Sequence, residues 1–295
     1  MPTSDLFSAF FQGPARDFLI RAIDLALDED GPDLTSQAVF SPTDRLTARI
    51  VAKEDTLVAG LPLAALVFTR MGVLDQCEVD CRARDGARIA SGTVAAFLEG
   101  PAVALLKAER VILNFLCHLS GIANLTATYV AALHGTTTRL LDTRKTLPGL
   151  RYPEKYAVLV GGGLNHRRDL AEMLMLKDNH LDRAGGILPA VAALRRAFTH
   201  DAMPPLEIEC RSLEEVLQAV SQAPKRIMLD NMCPGTITQA LALIPASIES
   251  EISGNVSLST LPALARLGAN FISVGRITHS APTADFSMQL APSTE

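Results

Sequence analysis

Residues 140–180 read LLDTRKTLPGLRYPEKYAVLVGGGLNHRRDLAEMLMLKDNH and hold three cationic clusters. These are Arg144-Lys145, His166-Arg167-Arg168 and Lys177, with Gly161, Gly162 and Gly163 between the first two. The chain as a whole carries a net charge of −5. Positive charge gathered inside an acidic protein fits a pocket for a polyanion, not a nucleic-acid surface. Arginine grips a carboxylate or phosphate in two places, so it fixes orientation as well as charge.

Further along, two acids and two glycine turns join this set. Glu209 and Asp230 each end an apolar run. They are placed to hold Mg²⁺ or the hydroxyls of a ribose; salt bridges to Lys145 or Lys177 are the structural alternative. Ser253-Gly254-Asn255 and Val274-Gly275-Arg276 follow the last two apolar runs. Their backbone amides are where an α/β barrel commonly holds a phosphate, and Asn255 tolerates the left-handed conformation such a turn uses. Asp142 and Asp178 lie beside the cations and add to the charge at their strand ends. His118 sits in an apolar helical stretch and reads as a core residue with a partner; His134 and His200 read as surface loop residues; His180 and His279, near strand ends, stay open. No Ser-His-Asp, Cys-His or zinc-ligand spacing is present. The cysteines at 77, 81, 117, 210 and 233 are odd in number and lack CxxC spacing, which fits reduced, mostly buried thiols in a cytoplasm. A metal role for Cys77 and Cys81 lacks further ligands nearby.

The elements that must position these groups come in two rhythms. Residues 5–29 read as one or two helices, with Phe7, Phe10, Phe11, Phe18 and Ile23 at helical spacing. Residues 46–98 alternate in short pieces (46–52, 77–83, 93–98) around a helix over 61–71, a mixed sheet with helices. Gly100-Pro101 opens a helix that Ser120-Gly121 closes. Beyond residue 135, strands over 139–142, 173–177, 206–209, 226–230, 248–253 and 271–275 alternate with helices. Ser212 with Glu215 forms a capping box, Pro234 opens the next helix, and Thr260 and Gly268 bracket the one after. Repeated βα units give a parallel sheet with right-handed crossovers. The last three steps, of about 21 to 23 residues each, with no dinucleotide-type glycine motif, favour a barrel over a doubly wound sheet. Six strands then deliver their polar residues to one rim, the face that carries the active site in such barrels.

The totals bound the rest. The chain has 295 residues, 48% of them apolar, and a mean hydropathy of +0.22. That supports a sizeable core and one large or two unequal domains. The apolar run over 57–68 contains Gly60 and Pro62 and is too short to span a bilayer. Asp5, Arg16 and Asp17 interrupt the N-terminal phenylalanines, so no secretory signal is expected.

These segments resemble one family. EGPAVALLKAERVILNFLCHLSGIANLT (99–126), LLDTRKTLPGLRYPEKYAVLVGGGLNHR (140–167), LKDNH (176–180), LEIEC (206–210), IMLDNM (227–232) and SGN with FISVGRITHS (253–280) look like quinolinate phosphoribosyltransferase. The resemblance covers most of residues 20–290. It implies that quinolinate and phosphoribosyl pyrophosphate (PRPP), with Mg²⁺, give nicotinate mononucleotide, pyrophosphate and CO₂ in de novo NAD biosynthesis. It implies an N-terminal α/β sandwich over 1–118, joined by the tail 277–295, and a TIM-like α/β barrel of about six parallel strands over 119–276. It also implies a cytoplasmic homodimer whose active sites are shared across the interface, so that a monomer would be inactive, with no nucleic-acid or membrane partner. By motif, Arg110 would reach a quinolinate carboxylate in the other subunit. Thr143, Arg144, His166, Arg167 and Lys177 would form the rest of that pocket. Lys145, Glu209 and Asp230 would be catalytic, the two acids also facing the metal. Ser253, Gly254, Asn255, Val274, Gly275, Arg276 and His279 would take the phosphate.

The chain departs from the family pattern in places. Pro32 is inserted before Asp33-Leu34-Thr35, Tyr152-Pro153 replaces a leucine-rich helix start, and Leu159-Val160 replaces a more polar pair. Asn255 and Arg276 stand where smaller residues are common. No charged residue of the expected site is lost. A related branch associated with molybdenum transport operons departs from the DTRK and NHR patterns, both intact here. Two other classes fit less well: a Schiff-base aldolase using Lys145 or Lys177, and a phosphosugar-binding protein, which leaves the acids and carboxylate clamps without a use.

Overall fold

The structure is a computed structural model that describes residues 3–198 and 202–290. His200 lies outside the described residues. The chain divides into two compact units, residues 1–127 with 146–162 and 277–295, and residues 128–145 with 163–276. The division falls at 127/128, within the helix over residues 102–132, and residues 146–162 group with the first unit, where the expected boundary was 118/119.

The first unit opens with helices α1 (Thr3–Phe10) and α2 (Pro14–Asp30), broken at Gly13, whose φ is +47°. Short helix α3 (Leu34–Val39) is capped by Asp33, which accepts from the Ser36 amide, so the inserted Pro32 sits just outside the cap. Strand β1 (Arg45–Ala52) is followed by β2 (Thr56–Leu57), α4 (Leu63–Arg70), β3 (Glu78–Cys81), β4 (Arg88–Ile89) and β5 (Val94–Pro101). Helix α5 (Ala102–Ala132) then runs for 31 residues. It does not stop at Ser120-Gly121. The Ser120 hydroxyl accepts from the Ala59 amide, and Gly121 lies against the Pro282 carbonyl, so both residues serve packing inside the helix. By length and composition α5 could cross a membrane, but 61% of its most apolar window is buried inside the protein, as in a core helix.

The second unit carries the six expected strands: β6 (Arg139–Leu141), β7 (Leu174–Leu176), β8 (Leu206–Cys210), β9 (Arg226–Asp230), β10 (Glu249–Ser253) and β11 (Phe271–Ser273). Helix α6 (Arg151–Val160), from the first unit, comes between β6 and β7 in the chain. Helices α7 (Asp178–Ala184), α8 (Ile187–Ala197), α9 (Leu213–Ser221), α10 (Pro234–Leu243) and α11 (Leu261–Ala265) follow the later strands, and Ser212 caps α9 as its motif predicts. The sheet order is β6-β11-β10-β9-β8-β7, with every pair parallel. Edge strands β6 and β7 do not pair, so the barrel is incomplete; a single bridge from Leu141 to Leu164 extends it past β6. Helix α12 (Arg276–His279) leads to β12 (Phe286–Leu290), which returns to the first unit. There a four-stranded antiparallel sheet is ordered β12-β1-β5-β3. All five cysteines are free thiols; only Cys210 is buried, and Cys81 and Cys233 are exposed, contrary to the mostly buried set expected.

Gly121 offers a test of this packing. A Cβ there would lie 2.0 Å from the Pro282 carbonyl oxygen, with backbone on both sides of the clash. Gly121→Ala should destabilise the fold by about 2–3 kcal/mol. Gly235→Ala, where no atom lies within 4 Å, serves as the control. Equal thermal midpoints for the two variants would contradict the packing described.

Candidate active site

The C-terminal ends of the six parallel strands surround a cleft of 610 Å³. Thr143, Arg144 and Lys145 enter from the turn after β6, and His166 and Arg167 from the loop that bridges to β6. Lys177 follows β7, Glu209 is the penultimate residue of β8, Asp230 ends β9, and Ser253, Gly254 and Asn255 close β10. Parallel strands place their C-terminal side chains on one rim, which is why residues far apart in sequence meet here.

The cationic wall is held by local bonds. The Thr143 hydroxyl accepts from the Lys145 amide at 3.0 Å, which closes the turn carrying Arg144. Buried Asp142 accepts from the His166 amide at 2.7 Å and from Asn165 Nδ2 at 2.8 Å, pinning the NHR loop beside β6. Arg167 is 9% exposed and donates through Nη1 to the Met173 carbonyl at 2.9 Å. Burial, and then the nearby Arg144 guanidinium, depress its affinity for a proton. Two guanidinium groups held close in a partly dry wall repel each other, and an anion between them relieves that repulsion.

His166 lines the cleft, but its ring is engaged in the barrel interior. Nδ1 accepts from the Arg167 amide at 2.7 Å, which leaves the proton on Nε2. Nε2 lies 2.9 Å from Glu207 and 3.5 Å from Glu251. The imidazole therefore faces two acids, where the resemblance implied a quinolinate carboxylate. Sequence reasoning missed these acids. His166, Glu207 and Glu251 bring their ligand atoms within 4.8 Å of one another, a spacing a metal could use. Arg226 supplies positive charge to this cluster, with Nη1 2.9 Å from Glu251.

Other residues also differ from expectation. Lys177 pairs with Glu209 at 3.2 Å, the salt bridge left open above, and both still line the cleft. Val274, Gly275, Arg276 and His279 are not among the lining residues. The Val274 amide is spent on the Leu141 carbonyl at 3.0 Å within the sheet, so it is not available to a phosphate. Arg276 is exposed at the start of α12, and His279 belongs to the first unit, where its Nδ1 meets the Ser280 hydroxyl. Ser273, one residue earlier, lines the cleft in their place, together with Met175, Met228, Asn231 and Glu251. His180 caps α7, its Nδ1 accepting from the Lys177 amide. His118 meets buried Glu154 at 3.0 Å and His134 is exposed, as read from the sequence. Arg110 is exposed on α5 and does not line the cleft.

The buried acids yield a pH prediction. Burial raises both Glu207 and Glu251 from 4.5 to about 7, and for Glu251 the Glu207 carboxyl adds to the effect. Between pH 4.5 and pH 7 the unfolded chain gives up protons that the fold retains. Stability from these groups is therefore lost as pH rises through that window, and is level above it. Glu251→Gln mimics the protonated acid, so its urea midpoint should gain on wild type between pH 5 and pH 8. Parallel pH slopes for the two proteins would contradict the assignment.

Two family models match the chain: "Quinolinate phosphoribosyl transferase, N-terminal domain" over residues 33–120 and its C-terminal domain over residues 122–289. The probable nicotinate-nucleotide pyrophosphorylase [carboxylating] of Bacillus subtilis (strain 168) is 42% identical over 264 residues, 89% of each chain. The enzyme of that name from Mycobacterium leprae is 38% identical, covering 94% of this chain and 97% of its own. Among solved structures, NadC from Streptococcus pyogenes aligns with a TM-score of 0.86 at 39% identity, over 92% of this chain and 95% of that one. The nicotinate-nucleotide pyrophosphorylase from Francisella tularensis aligns at 0.87 with 32% identity, over 96% and 99%. With both domain models matched in order, and with relatives of this identity aligned over nearly their whole length, the chain belongs to the quinolinate phosphoribosyltransferase family.

Proposed function

We propose that the cleft joins quinolinate to PRPP and releases pyrophosphate and CO₂, giving nicotinate mononucleotide for NAD biosynthesis. The observation that carries this reading is the pairing of Arg144 and Arg167 in the same cleft as the strand-end acids Glu209 and Asp230. The guanidinium pair suits a pyridine dicarboxylate. The acids and the 253–255 turn suit a ribose bearing phosphates.

The residues divide the work by where charge develops. As the bond from C1 of the ribose to pyrophosphate breaks, C1 becomes positive and the ring nitrogen bonds to it. The Glu209 carboxylate, 8% exposed, favours the positive charge at C1, and Lys145, exposed at the rim, favours the departing pyrophosphate. The ring nitrogen, now quaternary, draws the electron pair of the C2–carboxylate bond. CO₂ leaves and a proton takes its place at C2. Arg144 and Arg167 hold the ring throughout.

Mg²⁺ is part of this proposal. Glu209 and Asp230 offer hard oxygen donors at neighbouring strand ends. Such a pair fits a cation that is usually held by one or two carboxylates plus substrate phosphates. When bound, Mg²⁺ would neutralise the charge gathering on pyrophosphate.

A homodimer belongs to the same proposal. Arg110 and Asn114 are exposed one turn apart on α5. Asn114 borders an apolar hollow of the first unit that includes Phe18, Leu25, Phe115 and Pro148, with Phe18 41% and Leu25 62% exposed. A second copy covering this face would carry Arg110 to the partner's cleft. The acidic composition and free thiols support a cytoplasmic setting. The Schiff-base alternative is weakened by the ion pair that occupies Lys177.

Quinolinate, PRPP and Mg²⁺ should yield nicotinate mononucleotide and CO₂ in equal amounts; PRPP breakdown without the nucleotide would overturn the reading. Lys145→Ala should lower kcat by about a hundredfold or more with little change in KM for quinolinate, whereas Arg144→Ala should chiefly raise that KM. Arg110→Ala and Lys145→Ala proteins, each nearly inactive, should regain activity when mixed and reassembled. No recovery on mixing would argue against a shared site.

A further inference from the structure

The turn after β9 and the turn after β10 are tied together by one side chain. Asn231 has φ +53° and Asn255 has φ +50°, two of the three non-glycine residues in the left-handed region among the described residues; Gly254, within the second turn, has φ +96°. Asparagine enters that region more readily than most residues, but still at a cost that surrounding bonds must offset. Asn231 makes three such bonds. Its main-chain N–H donates to the Ser253 carbonyl at 3.0 Å, its Nδ2 donates to Asp230 Oδ2 at 2.7 Å, and its Oδ1 accepts from Asn255 Nδ2 at 3.1 Å. A Cβ at position 254 would stand 2.2 Å from Asn231 Oδ1, so the glycine makes room for the side chain. Asp230, Asn231, Ser253, Gly254 and Asn255 all line the cleft.

The bonds have a mechanical result. One oxygen of Asp230 is committed to Asn231, which limits the rotation of its carboxylate. The same amide group holds Asn255, so the acid and the 253–255 turn form one piece. A ligand that fixes the turn also fixes the acid, and the entropy of ordering both is lost only once. By linkage, the effect is the same in either direction.

We propose that Asn231 is a positioning residue that couples the sugar-phosphate turn at residues 253–255 to the pyrophosphate-facing Asp230, so that the two ends of a phosphoribosyl pyrophosphate reinforce each other's binding. The inference rests on the functional reading above for the placement of that substrate.

Calorimetry with ribose 5-phosphate and magnesium pyrophosphate tests it without turnover. In the wild type, saturating ribose 5-phosphate should tighten pyrophosphate binding by about fivefold or more, the lower end of ordinary coupling. In Asn231→Ala that factor should fall to about one. In steady state, Asn231→Ala should raise KM for PRPP by about tenfold, the weight of a hydrogen bond to a charged group, with KM for quinolinate unchanged. Asn255→Gly allows the left-handed backbone and removes the side chain that carries the Nδ2 donor. It should give a smaller rise, and the double variant should be no worse than Asn231→Ala alone. Asn231→Asp, which keeps the acceptor for Asn255 but loses the donor to Asp230, separates the two bonds and should not rescue the PRPP effect. Coupling retained in Asn231→Ala, additive effects in the double variant, or a parallel rise in both KM values would overturn the inference. Should Asn231→Ala fold poorly, Asn255→Gly carries the coupling measurement alone, and an unchanged factor there overturns the inference equally. A wild type that binds neither ligand would overturn the functional reading itself.

Discussion

Arg226 is the ion on which the second unit depends. Its guanidinium enters the sheet at the start of β9, bonds Glu249 at 3.0 Å and Glu251 at 2.9 Å, and lies 4.3 Å from the centre of the Phe271 ring. A buried carboxylate without a partner would cost several kcal/mol. Glu251 therefore depends on Arg226, His166 is aimed by Glu251 and Glu207, and the Arg167 amide leans on the His166 ring. The anion wall of the cleft thus stands on a line of charges that runs down through the sheet. Breaking that line at Arg226 would leave unpaired acids in the interior and unsettle the loop that carries Arg167, although Arg226 is not among the lining residues.

Such a layer explains which parts of the site were legible in the sequence. Lys145, Glu209, Asp230 and the 253–255 turn stand at the ends of apolar runs, where a change in polarity marks a strand terminus. Glu207 and Glu251 sit inside their strands. LEIEC alternates as a half-buried strand would, with its acids on the face that usually meets water. In the structure all five residues are buried, because the helices cover one face and the barrel interior covers the other. Alternation reports that two faces differ; it does not report which one is dry.

Local signals misled in two other places for related reasons. Ser120-Gly121 has the composition of a helix end, but a contact with Pro282, far away in sequence, uses the glycine as a space inside α5. Val274-Gly275-Arg276 has the composition of a phosphate turn, yet the first of its amides closes the sheet against β6. Both outcomes are set by non-local partners. The six parallel strands, by contrast, were readable because each joins an apolar run to a polar end.

The return of the last strand has a consequence for how the protein is made. β12 supplies the partner for residues 48–52 of β1, and it is synthesised after the whole of the second unit. At ordinary translation rates of 5–20 residues per second, the stretch between these paired segments takes about 10–50 s to emerge. For that interval the edge of β1 has an open row of backbone donors and acceptors, the kind of edge that invites pairing with other chains. The sheet of the first unit is thus begun before the second unit is made and completed after it. Its nascent form is the stage at which a chaperone, or a crowd of unfinished sister chains, would have the most to bind.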